Sequence, residues 1–259
     1  MSPSAPQLQQ RRVIIDGLSI FTRLGGQQFH APAIVLVHGM GVSSRYMVPL
    51  AEVLAGQYPV FAPDLPGYGS SDEPGPVLGV LELADFLDRW MDAMGLEQAI
   101  FLGNSFGCQI IAEFALRHPL RIDKAILLGP TTDRHARTFP KQLWRFIRDA
   151  PNERLSLGWV LLREYLRSGP RRLIRNIQMT LADSLEKKLP GVQVPTLIIR
   201  GERDPLVSQL WVEELVGLLP QGQLVVLPGA GHVPNYSHPA ALMQAIEPFL
   251  RPVAAPTVQ

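Results

Sequence analysis

The chain has one cysteine, Cys108, in 259 residues, so no intrachain disulfide supports the fold and a disulfide-built secreted scaffold is excluded. Charge of either sign is not in excess: 24 Lys and Arg against 23 Asp and Glu leave a formal net charge of +1. No overall field therefore favours nucleic acid as a partner. Long apolar runs are missing as well. None approaches the roughly 20 residues needed to cross a bilayer, and the start Met1-Ser2-Pro3-Ser4-Ala5-Pro6 lacks the apolar stretch of a secretory signal. The expectation is a cytoplasmic protein without a membrane span, with monomer and homodimer both open.

What is present is a strict alternation. Apolar, β-branched runs occur at Ala33 to Val37, Val60 to Ala62, Ala99 to Leu102, Ala125 to Leu128, Thr196 to Arg200 and Leu224 to Leu227. Amphipathic, helix-length segments separate them, among them Tyr46 to Leu54, Val80 to Met94, Phe106 to His118, Trp211 to Leu219 and Ala240 to Leu250. That pattern predicts a mostly parallel sheet covered by helices on both faces, an α/β fold. Two further runs, Val13 to Asp16 and Leu18 to Thr22, flank Gly17 and predict an opening hairpin, making eight strands. Between Leu128 and Thr196 the alternation stops and only helical periodicity remains, which predicts a helical cap inserted after strand six. The expected division is a core of 11–130 and 191–251, a cap of 131–190, and flexible tails at 1–10 and 252–259. The cap segment carries 13 Lys and Arg against 6 Asp and Glu, leaving the remainder of the chain acidic.

Gly103-Asn104-Ser105-Phe106-Gly107 follows an apolar run and opens a helical one, the context of a G-x-S-x-G nucleophile elbow. A serine at so sharp a turn exposes its hydroxyl at the carboxyl edge of the sheet, and the flanking glycines avoid collisions with neighbouring backbone. Serine needs a base. Of six histidines, His232 follows the last strand and emerges at the same edge, whereas His238 precedes Pro239 at a helix start and His30, His118 and His135 have no such placement. The base needs an anion, and Asp204 follows the preceding strand; Glu202 and Asp133 are competitors, but the order serine, acid, histidine favours Asp204. Two N–H donors for an oxyanion are expected from Phe106 and from Met40 in His38-Gly39-Met40-Gly41. His38 has no second ligand at metal spacing and reads as structural. Neither a metal nor a cofactor is implied.

With these motifs the chain resembles the α/β-hydrolase superfamily, in the group with a His-Gly oxyanion loop and a helical cap. Asp64-Leu65-Pro66-Gly67-Tyr68-Gly69-Ser70-Ser71 is similar to that family's turn after strand four, and Gly229-Ala230-Gly231-His232 to its ending. The likeness runs from about Val13 to Leu250. It implies a Ser105, Asp204, His232 triad, and serine in place of aspartate excludes epoxide-hydrolase and dehalogenase chemistry. Cys108 replaces a usual glycine or alanine and is read as buried packing, while Ser237 stands near a usual acidic position. The implied activity is hydrolysis of a small or medium carboxylic ester, the partner being a small-molecule acyl substrate. The Gly-Asn-Ser elbow is also similar to carbon–carbon bond hydrolases of ring-fission products, whose anionic substrates would suit the basic cap; those enzymes usually carry Trp where Val233 stands. A non-catalytic ligand-binding protein is the alternative of another class. Gly39, Asn104, Trp144, Trp159 and Val233 are the candidate substrate contacts, with Phe139, Tyr165 and Met179 as further cap residues able to wall a pocket.

Overall fold

The computed structural model describes residues 7–251. The chain forms a hairpin of β1 (Gln9–Ile15) and β2 (Leu18–Gly25), followed by β3 (Ile34–Val37), α1 (Val48–Leu54), β4 (Val60–Pro63), α2 (Val80–Met94), β5 (Ala99–Asn104), α3 (Phe106–Arg117) and β6 (Ile122–Leu128). The cap contributes α4 (Phe139–Asp149), α5 (Leu155–Ala182) and the short α6 (Leu185–Lys188). β7 (Thr196–Gly201), α7 (Gln209–Leu218), β8 (Gly222–Leu227), α8 (Pro234–Ser237) and α9 (Pro239–Leu250) return to the core.

Eight strands make one sheet in the order β1-β2-β4-β3-β5-β6-β7-β8. β2 pairs antiparallel with β1 and β4, and every pairing from β4 across to β8 is parallel. The hairpin turns on Asp16 and Gly17, both at positive φ (51° and 80°), the two-residue geometry whose twist matches the flanking strands. Gln9 and Gln10, expected in a flexible tail, instead pair with Leu24 and Arg23 in β1; a backbone ladder extends past the apolar run because it needs only N–H and C=O groups. Residues 1–6 and 252–259 of the expected tails lie outside the described residues.

The sheet is apolar on both faces, as period-two alternation requires. Val35, Val37, Phe101 and Leu127 pack with Leu87 and Trp90 of α2 and Phe114 of α3 on one side. Ile34, Leu36, Leu102 and Ile126 pack with Leu50 of α1 and Ile246 of α9 on the other. Buried Trp211 ties α7 to the start of the cap, its indole N–H donating to Pro130 O at 2.9 Å. In the cap, α5 breaks at Gly169 (φ 71°) ahead of Pro170, where the proline ring clashes with a continuing helix. The loops after β3, β5, β7 and β8 all emerge at the carboxyl edge of the sheet, which the cap covers.

Candidate active site

Ser105 lies between β5 and α3 with φ 57° and ψ −116°, a conformation that costs of order 1–3 kcal/mol. Its N–H donates to Leu128 O at 2.9 Å, so pairing with β6 holds the strain. The flanking glycines are dictated by contact: a Cβ at Gly103 would lie 2.7 Å from the Gly107 carbonyl carbon, and one at Gly107 would lie 2.4 Å from Val37 O. Gly107→Ala should therefore lose about 3 kcal/mol, the upper range for overpacking, seen as a melting temperature lowered by roughly 6–12 °C. Cys108 packs as anticipated: it is buried, its thiol donates to Gly103 O and Leu128 O, and burial pushes that thiol well above its ordinary range.

The imidazole of His232 is buried and donates from Nδ1 to Asp204 Oδ2 at 2.8 Å. The other oxygen of Asp204 accepts from Leu206 N at 2.8 Å and Val207 N at 3.2 Å, which fixes the carboxylate. His232 Nε2 is buried with no partner among the described residues. The Ser105 hydroxyl instead shares a 3.3 Å hydrogen bond with Thr131 Oγ1. The segment after β6 nevertheless borders both groups, since a Cβ at Gly129 would lie 3.0 Å from the His232 ring. The competing residues are engaged elsewhere. Asp133 caps the turn Arg134–Ala136 and pairs with Arg145 at 2.6 Å, and Glu202 accepts from Gly229 N. His118 meets Asp85 and His135 meets Glu214.

A buried network joins these loops. Gly39 N–H donates to Tyr46 Oη at 2.7 Å, Tyr46 donates to Asn104 Oδ1 at 2.9 Å, and Asn104 Nδ2 donates to Leu128 O and His232 O, both at 3.1 Å. Asn104 and Gly39, expected to touch substrate, are thus occupied as scaffold, because their polar groups already have protein partners. His38 is structural: Leu65 N–H donates to its Nε2, its Nδ1 donates to Gly39 O, and burial holds its pKa down.

Two acidic residues that sequence reasoning did not single out face His232 from the cap. Asp149 accepts the His232 N–H (3.2 Å to Oδ1), and Glu153 accepts the Val233 N–H at 2.7 Å and the Ser237 hydroxyl. Glu153 supplies the carboxylate beside Ser237, where the loop itself has none. Burial pushes the Asp149 carboxyl up to about 7, against the pull of His232 and with repulsion from Glu153 and Asp204. At His232 burial opposes the imidazolium, but Asp204, then Asp149 and Glu153, outweigh it and bring the pKa up to about 9.

Ser105 opens into a cavity of about 250 Å³ whose walls include Met40, Phe139, Leu143, Phe146, Leu173 and Ile177. Among the described residues the polar lining is limited to Ser105, Thr131, Thr132, Gln142, Thr180 and Tyr165, and no charged side chain takes part. Three expected contacts are corrected here. Trp144 and Trp159 stand on the outside of the cap, 61% and 74% exposed, because α4 and α5 turn their polar edges toward the core. Val233 packs into the core near α1 and α9.

The chain is 28% identical to the pimeloyl-[acyl-carrier protein] methyl ester esterase of Nitrosospira multiformis, over 85% of this chain and 95% of that one. It is likewise 28% identical to the polyketide synthase ThaQ of Burkholderia thailandensis, over 85% of this chain but only 12% of that much longer protein. A bacterial membrane phospholipase A superposes with a TM-score of 0.80 at 26% identity, covering 94% of this chain and 86% of that one. Residues 34–245 match the Alpha/beta hydrolase family, and the chain belongs to it.

Proposed function

We propose that this hydrolase cleaves neutral carboxylic esters with a small or medium apolar acyl group, through an acyl-enzyme on Ser105. The observation that carries the reading is the uncharged, apolar cavity that begins at the hydroxyl of a strained strand-to-helix turn. In the proposed cycle Ser105 Oγ attacks the carbonyl carbon while His232 Nε2, the unpartnered buried nitrogen, takes its proton. The N–H groups of Met40 and Phe106 receive the oxyanion. His232 then gives the proton to the departing alcohol as the C–O bond breaks, and water repeats the sequence to free the acid. The esterase and phospholipase names among similar proteins support ester chemistry. Carbon–carbon cleavage of an anionic ring-fission product is not favoured, since none of the cap's basic side chains lines the cavity.

A fluorophosphonate should label the wild type at Ser105, and labelling should vanish in Ser105→Ala and slow sharply in His232→Ala. Each buried CH₂ stabilises by about 0.8 kcal/mol. Along a series of p-nitrophenyl esters, kcat/KM should therefore climb roughly fourfold per methylene until the cavity is full. Labelling that persists in Ser105→Ala, or turnover of a vinylogous dienoate without ester turnover, defeats the reading.

A further inference from the structure

Much of the cap's apolar surface faces outward. A helix laid on a protein normally turns its apolar stripe inward and its polar face to water. In α4 the inward residues are Gln142, Arg145 and Asp149, which bond to Ala136 O, Asp133 and the His232 N–H. In α5 the buried set is mostly polar too: Glu164 pairs with Arg45, Arg172 with Glu73, and Asn176 accepts from Tyr68. Some apolar residues face inward, Leu157 into the core and Leu173 and Ile177 into the cavity, but many others go outward. Trp144 and Ile147 of α4 are 61% and 55% exposed, and Leu155, Trp159, Leu162 and Leu166 form a stripe at i, i+4, i+7 and i+11 along the first half of α5, from 49% to 91% exposed. Single exposed apolar residues are ordinary, but so many on two successive helices, four of them along one stripe, mark an interaction surface.

Charge identifies what the surface meets. Arg148, Arg154, Arg163, Arg167, Arg171 and Arg175 are all exposed on the same two helices, and none forms an ion pair among the described residues. A second copy seated symmetrically on this face would bring these arginines against their own equivalents. Interleaved arginine, tryptophan and leucine on a helix too polar to span a membrane is the composition of an element lying in a lipid interface. No helix among the described residues is long and apolar enough to cross one. Phe139, Leu143 and Phe146 belong to the exposed face and to the cavity wall at once, so the cavity opens where the surface would meet lipid.

We propose that the outer face of α4 and the first half of α5 docks on an anionic lipid bilayer. Leu155, Trp159 and Leu166 enter the acyl boundary while the arginines engage lipid phosphates. This reading does not depend on the ester chemistry at Ser105, and Ser105→Ala keeps the surface intact. The full chain and Ser105→Ala should both sediment with vesicles of phosphatidylcholine and phosphatidylglycerol in roughly equal parts, bind phosphatidylcholine vesicles weakly, and come off as salt screens the arginines. Tryptophan emission should shift to the blue on binding. Two variants, Trp159→Ser with Leu166→Ser and Arg163→Glu with Arg167→Glu, should each weaken binding more than tenfold, with circular dichroism and turnover of a water-soluble ester retained. Absent vesicle binding, or binding that both variants leave unchanged, overturns the proposal. So does a dimer in sedimentation velocity that Trp159→Ser with Leu166→Ser dissolves, which would assign the face to a second copy.

Discussion

Asp204→Asn should lower kcat/KM about 10⁴-fold with little change in fold, and the reason lies in which oxygen does what. Oδ1 of Asp204 accepts two backbone N–H groups, from Leu206 and Val207, while Oδ2 accepts from His232 Nδ1. An asparagine must keep its carbonyl oxygen on the two backbone donors and so turns its NH₂ toward His232. Two donors cannot face each other, so the imidazole proton moves to Nε2, where a base is needed. The side chain stays in place and the tautomer becomes wrong. Ser105→Ala should do more, roughly 10⁶-fold in kcat, and the double variant should be no slower than Ser105→Ala alone, because residues acting as one unit do not add. Kinetics on a p-nitrophenyl ester, with melting curves for each variant, check both. Asp204→Asn within tenfold of wild type would remove Asp204 from its proposed role.

The architecture was legible because its signals are local. Each parallel strand is a short β-branched run ended by Gly, Pro or Asp, and the elbow announces itself through two glycines whose Cβ atoms would have no room. The same holds for Asp204 and His232, each a few residues past a strand end. Orientation was not legible in the cap. Helical periodicity finds a stripe in Phe139, Leu143, Trp144 and Ile147, yet it does not say which way the stripe turns. Expectation placed Trp144 and Trp159 at substrate because aromatic cap residues can wall a pocket, yet both stand outside while Phe139 and Leu143 of the same cap line the cavity. Asn104 was misassigned for a related reason: its three side-chain hydrogen bonds are to Tyr46, Leu128 and His232, and the last is 128 positions away. Asp149 and Glu153 carry no sequence signal toward His232, since that proximity arises only when the cap folds over the last loop of the sheet.

Those two acids add to the effect of Asp204 on the expected pH dependence. In the proposed cycle His232 acts as a base only when neutral, and three carboxylates stabilise its charged form: Asp204 from the loop after β7, and Asp149 and Glu153 from the cap, against the opposing effect of burial. With its pKa brought up to about 9, kcat/KM should rise about tenfold per pH unit toward that value and level off above it. Asp149, at about 7, takes up a proton as pH falls below neutrality and then pulls less on His232, so the acidic limb should be shallower there. In Asp149→Asn with Glu153→Gln, the amide oxygens still accept the His232 and Val233 N–H groups while the two negative charges disappear. The midpoint should fall below that of the wild type, while Asp204, the larger cause of the rise, still holds it up. At neutral pH the variant should then run at a larger fraction of its own plateau than the wild type, which should run at about a hundredth of its plateau, each pH unit below the midpoint being a factor of ten in neutral imidazole. A pH–rate profile of the variant superimposed on that of the wild type would show that the cap carboxylates hold the histidine loop in position without setting the basicity of its ring.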